Sequence, residues 1–311
     1  MLRREIRSSL IALVLAVIAT TASGVAPQRT FVASYGLDTN PCSLASPCRG
    51  FQAAIDAVAQ GGEVVAIDTA GYGAMAIHKS VSVIVPTGVH AGLSPSSGIP
   101  IPGYPGQYTV VLIDVASTDV VVLRGLVIAH QGNVTGGIDW VGQGGGIVHV
   151  ENTVVSGFPV EGLYMEGPGQ LYVKDSILRD NYHGLYANGN GYGTTSKIFG
   201  DRVHIENSQY GVLATGIIVM LSDSTLYKNY YGSYLNSNTQ VFLTRCTIAN
   251  NLFTALLNQS GAGIVPTLVA AGSTFVSNGG DSRIGVTDVG SLGNNSNDGF
   301  SITFDSHRAP E

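Results

Sequence analysis

The strongest constraint in this sequence is a pattern of apolar and polar residues that repeats from about residue 120 onward. One marker position, the last apolar residue of a short second strand, recurs every 21 to 27 residues at Ile128, Val155, Leu178, Ile205, Leu226, Ile248 and Phe275. Each repeat contains an alternating strand, a two-residue corner, the second strand and a loop that often ends in Gly before a third strand. A period of about 24 residues is typical of one coil of a solenoid. The sequence therefore predicts an all-β parallel β-helix.

Stacked coils place equivalent residues above one another. Their strands pair in parallel and in register, about 4.8 Å apart, so inward side chains form rows. One predicted row is apolar and contains Val150, Val173, Leu221 and Leu243. A second row consists of small residues: Thr153, Ser176, Val203, Ser224, Cys246 and Ser273. Its place in this row indicates that Cys246 is a buried filler and not a nucleophile.

Residues 1–26 have the three parts of a secretory signal peptide. Arg3, Arg4 and Arg7 precede an apolar run from Leu10 to Ala19, and small residues follow up to Ala26. The run is shorter than the ~20 residues of a membrane-spanning helix, although a retained anchor is the alternative. We expect a secreted protein, located in the periplasm, at the cell surface or outside the cell, with no membrane segment after cleavage.

Residues 27–311 are predicted to form one β-helix domain. Residues 27–60 are expected to hold an N-terminal strand, a disulfide loop and a capping helix, residues 61–290 the coils, and residues 291–311 a C-terminal cap or tail. The capping α-helix is indicated by Phe51, Ala54, Ile55 and Val58 on one helical face. Such a helix closes the open end of the solenoid, where strand edges are otherwise exposed.

Charge and cysteine content limit the partners. Without residues 1–26, which hold three Arg and one Glu, the chain has 12 basic and 20 acidic residues, which is not the basic footprint of a nucleic-acid-binding protein. Cys42 and Cys48 are close in sequence, and in an oxidising compartment they predict a local disulfide. No other Cys or His lies near them, so no metal site is predicted there.

The two ends of the domain resemble a known group of proteins. The N-terminal segment FVASYGLDTNPCSLASPCRGFQAAIDAVAQGGEVVAI and the C-terminal segment GVTDVGSLGNNSNDGFSI resemble secreted bacterial proteins of the pectin-lyase-like superfamily. This resemblance implies a single-stranded right-handed parallel β-helix, and it covers nearly the whole domain. It specifies the fold far better than an activity. Gly50 departs from the pattern, which usually has a hydroxyl residue before the capping helix.

Charged residues follow the two-residue corner from coil to coil. The first corner position alternates in sign through Arg124, Glu151, Lys174 and Asp201, and the second does so through Asp175, Arg202, Asp223 and Arg245. Opposite charges on neighbouring strands favour an ion ladder that fixes the register. The resemblance implies an alternative, in which Lys174 or Arg202 is the base of a lyase beside a calcium site formed by Asp175, Asp201 and Asp223.

The third strand of each coil presents a different surface. Its outward row is predicted to be Asp139, Tyr164, Tyr186, Leu213, Tyr234 and Leu256; the row after it is Glu166, Asn188, Thr215, Asn236 and Asn258; and the row before it is Glu161, His183, Tyr210, Tyr231 and Phe253. Aromatic rings beside amide groups suit a polysaccharide, whose sugar faces are apolar and whose hydroxyls need partners. We therefore predict carbohydrate binding by Tyr164, Tyr186, Tyr210, Tyr231, Tyr234, Asn188 and Asn236.

The sequence supports catalysis less than it supports carbohydrate binding. Hydrolysis of a glycan needs two carboxyl groups about 5 to 9.5 Å apart, and Glu161, Glu166 and Asp139 are the acidic candidates on this surface, with His183 as a weak candidate base. The Asn-Thr-Asp, Asp-Asp and Gly-His-Gly motifs of galacturonase-type relatives are absent. The main hypothesis is a non-catalytic polysaccharide-binding protein without a cofactor. The alternatives are a lyase or glycoside hydrolase with an unusual site, for which calcium is the expected ion, and a structural or adhesive surface protein that self-associates.

One segment does not follow the repeat. Residues 88–107 are rich in Pro and Gly and indicate a long loop on an early coil. Such loops often border binding grooves, but the sequence does not show on which side of the solenoid this loop lies.

Overall fold

The structure is a computed structural model that describes residues 25–142, 144–192, 196–258, 267–279, 283–284, 288–297 and 306–307. The predicted signal peptide lies outside these residues except for its last two positions, as does much of the predicted C-terminal tail. Within the described residues, the chain forms three sheets whose strands pair in parallel from one coil to the next. No helix in these ranges is long and apolar enough to cross a membrane.

The first sheet has 12 strands in the described part of the chain. It contains β1 (Arg29–Val32), β2 (Gly62–Ala66), β5 (Val81–Ile84), β9 (Val120–Arg124), β12 (Ile147–Glu151), β15 (Gly169–Lys174), β18 (Ser196–Asp201), β21 (Ile218–Ser222), β24 (Gln240–Thr244), β27 (Thr267–Ala271), β30 (Asp288–Ser291) and β32 (Ser306–His307).

The second sheet follows the first corner of each coil, and its strands are shorter. It contains β3 (Ala70–Gly71), β6 (Ala91–Leu93), β10 (Leu126–Ala129), β13 (Val154–Ser156), β16 (Ile177–Arg179), β19 (His204–Glu206), β22 (Thr225–Tyr227), β25 (Thr247–Ala249), β28 (Thr274–Val276) and β31 (Ser296–Asn297). The marker residues of the sequence repeat lie on these strands and pair in register, as Ile128 does with Val155 and Val155 with Leu178.

The third sheet follows the second corner and carries the tyrosine-rich strands. It contains β4 (Met75–Ile77), β7 (Ile99–Pro100), β8 (Tyr108–Ile113), β11 (Gly136–Val141), β14 (Glu161–Glu166), β17 (His183–Asn188), β20 (Tyr210–Thr215), β23 (Tyr231–Asn236), β26 (Thr254–Asn258) and β29 (Arg283–Ile284). Of these strands only β7 is antiparallel, and it pairs with β8.

Apolar side chains from all three sheets fill the interior. The predicted inward row is confirmed, since Val150, Val173, Leu221 and Leu243 are buried. Gly200 lies in the same row between Val173 and Leu221, and a Cβ on Gly200 would lie only 2.6 Å from Leu221 Cδ2. The Leu221 side chain therefore fills the space that Gly200 leaves.

The corner between the first and second sheets requires a left-handed residue. The second corner position has φ of 49° at Asp175, 51° at Arg202 and 49° at Asp223. In the predicted small-residue row, Ser176 Oγ accepts a hydrogen bond from the Thr153 N–H at 3.1 Å, and Ser224 Oγ accepts one from the Val203 N–H at 3.0 Å. These hydroxyls satisfy backbone donors that the turn removes from the sheets. Cys246 is buried in this row, as expected.

A buried amide ladder holds the corner between the second and third sheets. Asn181, Asn229 and Asn251 each accept a hydrogen bond from a backbone N–H of the preceding coil and donate to a buried carbonyl. Asn229 Oδ1, for example, accepts from the Ser208 N–H at 3.0 Å, and its Nδ2 donates to the Ile205 carbonyl at 3.0 Å. The ladder therefore connects each coil to the next through groups that water does not reach.

The predicted cap and disulfide are present at the N-terminal end. Helix α1 (Phe51–Ala57) buries Phe51, Ala54 and Ile55, and Cys42 is bonded to Cys48. Gly50 supplies no side-chain cap. Instead, Asp38 Oδ1 accepts hydrogen bonds from the N–H groups of Arg49 and Gly50, each at 2.8 Å. A carboxylate from the disulfide loop thus binds backbone donors just before the helix, where a capping hydroxyl was expected.

We expect Asn229→Ala to lower the free energy of unfolding by about 1–3 kcal/mol, because the Ser208 N–H loses its acceptor inside the protein. Urea denaturation followed by circular dichroism measures this change. Asn236→Ala is the matched control, since its amide is half-buried on the outer face, and a change within about 0.5 kcal/mol is expected there. Equal losses in the two variants would contradict a role for the ladder.

Candidate functional site

The register of the third sheet places the predicted tyrosine row on one surface. Asp139 pairs with Tyr164, Tyr164 with Tyr186, and Tyr186 with Leu213, which in turn pairs with Tyr234. All three predicted rows are corrected at the last coil. Tyr234 pairs with Leu257, not Leu256; Tyr231 pairs with Thr254, not Phe253; and Asn258 pairs with Leu235, not Asn236. The reason is that Ala255 replaces the Gly that marks this strand in earlier coils, so the Gly-based alignment is one residue out of step.

A glycine stands two residues before the outward position of these strands, because the backbones of neighbouring coils approach closely there. A Cβ on Gly184 would lie 2.7 Å from the Gly211 carbonyl oxygen, and a Cβ on Gly211 would lie 2.5 Å from the Gly232 carbonyl oxygen. These glycines are left out of the strand pairing between successive coils. Residues on both sides of it therefore face outward together, as the 5.1 Å contact between the His183 and Tyr186 rings shows.

The aromatic rings form a continuous surface, in which the His183 ring connects Tyr186 to Tyr210 with centroid distances of 5.1 and 5.2 Å. We call Tyr186, Tyr210, Tyr231 and Tyr234 the tyrosine face. Ring centroids lie 5.0 Å apart for Tyr210 and Tyr231 and 5.2 Å apart for Tyr210 and Tyr234. All four side chains are partly exposed. Asn188 and Asn236, at the C-terminal ends of their strands, are half-buried beside this face. The face therefore combines ring surface with amide groups along its edge.

A cleft of about 310 Å³ lies at the same end of the strands. Its polar side chains come from the turns that follow the third strands and from the start of the next coil: Asn190, Ser237, Asn238, Thr239 and Gln240. Thr239 is held in place by its hydroxyl, which donates to the Ala214 carbonyl at 3.1 Å. The cleft thus extends the amide edge of the tyrosine face with further uncharged groups.

The loop that the sequence could not place covers the N-terminal end of this surface. Strand β7 pairs with β8, and Ile101 and Tyr104 then pack against Leu112, Val141 and Tyr164. Tyr104 Oη donates a hydrogen bond to Glu166 Oε2 at 2.6 Å and lies 3.1 Å from Tyr164 Oη. Tyr164 is only 4% exposed. Of the tyrosines predicted to bind carbohydrate, Tyr164 is therefore covered by the loop.

Two carboxyl groups are buried beneath this region. Asp139 is fully buried, and its side chain occupies the space over Gly136, where a Cβ would clash with Asp139 Oδ2. Gly136 pairs with Glu161 in the next coil, so the two carboxyl groups are neighbours. Burial raises the pKa of Asp139 to about 7, while the Thr109 hydroxyl opposes this rise. Burial, and then the charge of Asp139, raise the pKa of Glu161 to about 8.

His183 follows Glu161 in the register of the next coil. Burial lowers its pKa to about 4, so the ring is neutral at neutral pH. Glu161 is mostly protonated under the same conditions. A neutral acid and a neutral imidazole therefore lie in adjacent coils at one end of the tyrosine face.

Glu161 and Glu166 do not form a hydrolytic pair. They occupy the two ends of β14, five residues apart, which corresponds to about 16 Å at the rise of a strand. Paired carboxyl groups of glycosidases lie within about 9.5 Å of each other. Asp139, the partner that does lie close to Glu161, is fully buried.

The charged corner residues form ion pairs away from the third sheet. Arg202 Nε lies 2.5 Å from Asp175 Oδ1, and Arg202 Nη1 lies 2.7 Å from Asp201 Oδ2. Arg124 and Arg245 are paired in the same way with Glu151 and Asp223. Hydrogen bonding to Asp175 raises the pKa of Arg202, which is the opposite of what a catalytic base requires.

Lys174, the other candidate base, lies in register between Glu151 and Asp201. These corners join the first and second sheets, so the tyrosine face is on a different side of the solenoid. Among the described residues, no three His, Cys, Asp or Glu side chains form a group able to hold a metal ion.

A second aromatic row, which was not predicted from the sequence, lies on the first sheet. His149, Tyr172 and Phe199 stack with ring centroids 4.8 and 4.7 Å apart and planes within 13° of parallel. Met220 and Phe242 continue the row in register. The sequence contains a signal for this row, because its members recur at the middle outward position of each first strand. Alignment of the corner charges alone does not show it.

Comparison with known proteins identifies the fold. No protein-family model matches the chain, and no curated protein matches its sequence. Among solved structures, pectate lyase Pel9A is similar with a TM-score of 0.60 and 16% identity over 93% of this chain and 80% of that chain. An alginate lyase from Paenibacillus sp. str. FPU-7 is similar with a TM-score of 0.54 and 13% identity over 90% of this chain and 99% of that chain. The likeness confirms the right-handed parallel β-helix fold, and a shared fold does not specify an activity.

The buried carboxyl groups make stability depend on pH. The ordinary pKa values of Asp139 and Glu161 are 3.8 and 4.5, so between about pH 4.5 and 8 the folded state binds more protons than the unfolded state and stability falls as the pH rises. His183 has the opposite effect on stability, because burial lowers its pKa, but this effect is confined to pH values below its ordinary pKa of 6.5.

We therefore expect Glu161→Gln to reduce the loss of stability between about pH 6.5 and 8 by about 1–2 kcal/mol. Urea denaturation at several pH values measures it. Glu206→Gln, on the partly exposed end of β19, is the control and should keep the wild-type slope. An unchanged slope in Glu161→Gln would show that Glu161 does not titrate in this range.

Proposed function

We propose that this protein is a secreted β-helix that binds a polysaccharide along the tyrosine face. The observation that carries the proposal is the continuous set of ring contacts from Tyr186 to Tyr231, with Asn188 and Asn236 along its edge. Rings pack against the apolar faces of sugars, and amide groups form hydrogen bonds with their hydroxyls. Because coils repeat, the same combination recurs along the solenoid, which suits a ligand that is itself a repeating chain.

The fold comparison supports the class of ligand. The two similar solved structures are named as lyases of pectate and alginate, and both of these substrates are polysaccharides. The Cys42–Cys48 disulfide supports an oxidising compartment, where extracellular polysaccharides are found. The proposed ligand contacts are Tyr186, Tyr210, Tyr231, Tyr234, Asn188 and Asn236, without Tyr164, which the loop covers.

We expect the double variant Tyr186→Ala/Tyr234→Ala to weaken binding of its polysaccharide by about tenfold or more, because one ring at each end of the face is lost. Affinity electrophoresis or calorimetry with a panel of soluble plant and bacterial polysaccharides measures this. Tyr172→Ala removes an equally stacked ring from the first sheet and is the matched control. If Tyr172→Ala loses as much affinity as the double variant, or the double variant loses none, the tyrosine face is not the binding surface.

A second candidate is a polysaccharide lyase or hydrolase centred on Glu161. The observation that favours it is a carboxyl group with a pKa of about 8 at the edge of the tyrosine face, since a general acid must be protonated at the working pH. Against it, Glu161 is only 7% exposed and its neighbour Asp139 is fully buried.

If this candidate is correct, incubation with the panel releases new reducing ends or unsaturated sugars, and Glu161→Gln abolishes the product while leaving binding intact. Glu206→Gln is again the control and should remain active. The absence of product from every polymer, with and without calcium, would contradict the enzymatic candidate and leave the binding proposal standing.

A further inference from the structure

We infer that the polysaccharide bound by the tyrosine face is an uncharged one and not a polyuronate, an inference that rests on the proposed function and specifies its ligand. Four features of the described residues carry it: the absence of Lys and Arg from strands β8 to β26 of the third sheet, the state of the acidic groups there, the chemistry of the edge and the contacts of the basic residues around it.

The strands that build the surface contain no basic residue. From β8 to β26, the described strands of the third sheet have no Lys and no Arg, and their charged residues are Asp139, Glu161 and Glu166. A polyuronate carries one carboxylate on each sugar. Its carboxylates would have to give up water without a cation to replace it, which is costly.

The three acidic groups are themselves engaged or neutral. Asp139 is fully buried, and Glu161 is mostly protonated at neutral pH. Glu166 accepts the Tyr104 hydrogen bond at 2.6 Å. The surface therefore presents little charge of either sign to a ligand, and the charge it does present repels an anionic polymer.

Uncharged donors and acceptors occupy the edge instead. Asn188, Thr215 and Asn236 end three successive strands, and the adjoining cleft is lined by Asn190, Ser237, Asn238 and Gln240. Amide and hydroxyl groups match sugar hydroxyls, which both donate and accept. A neutral glycan can exchange its hydrogen bonds with water for hydrogen bonds with these groups at little cost.

One cation, Lys197 on β18 of the first sheet, lies in register with Ile218 at the wall of the cleft. The basic side chains at the second corner are directed to other partners. Lys228 Nζ lies 5.1 Å from the centre of the Tyr227 ring on the second sheet, and Arg179 Nε lies 4.0 Å from Asp180 Oδ2. The ligand chemistry of this surface thus differs from that implied by the names of its structural neighbours, since pectate and alginate are polyuronates.

Binding of two sets of polymers tests the inference. The uncharged set contains xyloglucan, galactan, arabinan and galactomannan, and the charged set contains polygalacturonate, alginate and the polycation chitosan. Each is measured by calorimetry at low and high salt, with and without calcium. We expect at least one uncharged polymer to bind about tenfold more tightly than every charged polymer, with an affinity that salt does not weaken.

The outcomes are distinguishable. Tighter binding of a polyuronate or of chitosan than of every uncharged polymer, under any of these conditions, overturns the inference and leaves polysaccharide binding itself intact. The absence of binding to any polymer overturns the proposed function and the inference together.

A charge variant tests the physical reason independently. Asn188→Lys/Asn236→Lys places two cations on the edge of the tyrosine face and should raise affinity for polygalacturonate by about tenfold at low salt. Thr244→Lys adds a cation at the end of β24 on the first sheet and is the control, with no change expected. An unchanged affinity in the double variant, or an equal gain in the control, overturns the argument from charge.

Discussion

The in-register stacking of coils is the constraint on which every other feature of this structure depends. Parallel pairing repeats each position about 4.8 Å above its equivalent, so a residue type at one position is multiplied into a row. Backbone hydrogen bonds alone leave the corners unsatisfied. Ser176 and Ser224 at the first corner, and Asn181, Asn229 and Asn251 at the second, complete them with buried side chains. Because these side chains bond from coil to coil, they fix the register and the pairing together.

This constraint explains which features the sequence could predict. The inward row of Val150 and Val173, the small-residue row with Cys246 and the alternating corner charges all follow from alignment of equivalent positions, and all lie where the coils are regular. The Cys42–Cys48 disulfide follows from local spacing and compartment. Where a coil has its Gly replaced, as at Ala255, the alignment slips by one residue, because the backbone can take the same path with a small side chain.

Features that depend on contacts of the inserted loop, residues 88–107, with other coils could not be predicted from the sequence. Nothing in residues 88–107 indicates that Tyr104 reaches Glu166 across two coils and buries Tyr164. The burial of Asp139 depends on the missing side chain of Gly136, which leaves room for the carboxyl group. Sequence identifies acidic residues on an outward row, but it cannot show that the row is covered, so exposed carboxylates and buried acids are indistinguishable before the loop is placed.

Burial of these acids also connects the stacking to the chemistry of the tyrosine face. Tyr186 lies in register above Tyr164. Burial raises the pKa of Tyr186, and the charges of Glu161 and then Glu166 raise it further. Ionisation of Glu161 would place a negative charge beside the first ring of the face, and the coil stacking that buries Glu161 is what keeps it protonated at neutral pH. The uncharged character of the face is therefore a consequence of packing as well as of composition. A β-helix of the same shape with a cation at one of these row positions would present a positively charged surface. The fold shared with the pectate and alginate lyases therefore does not determine the ligand, and the residues in the rows do.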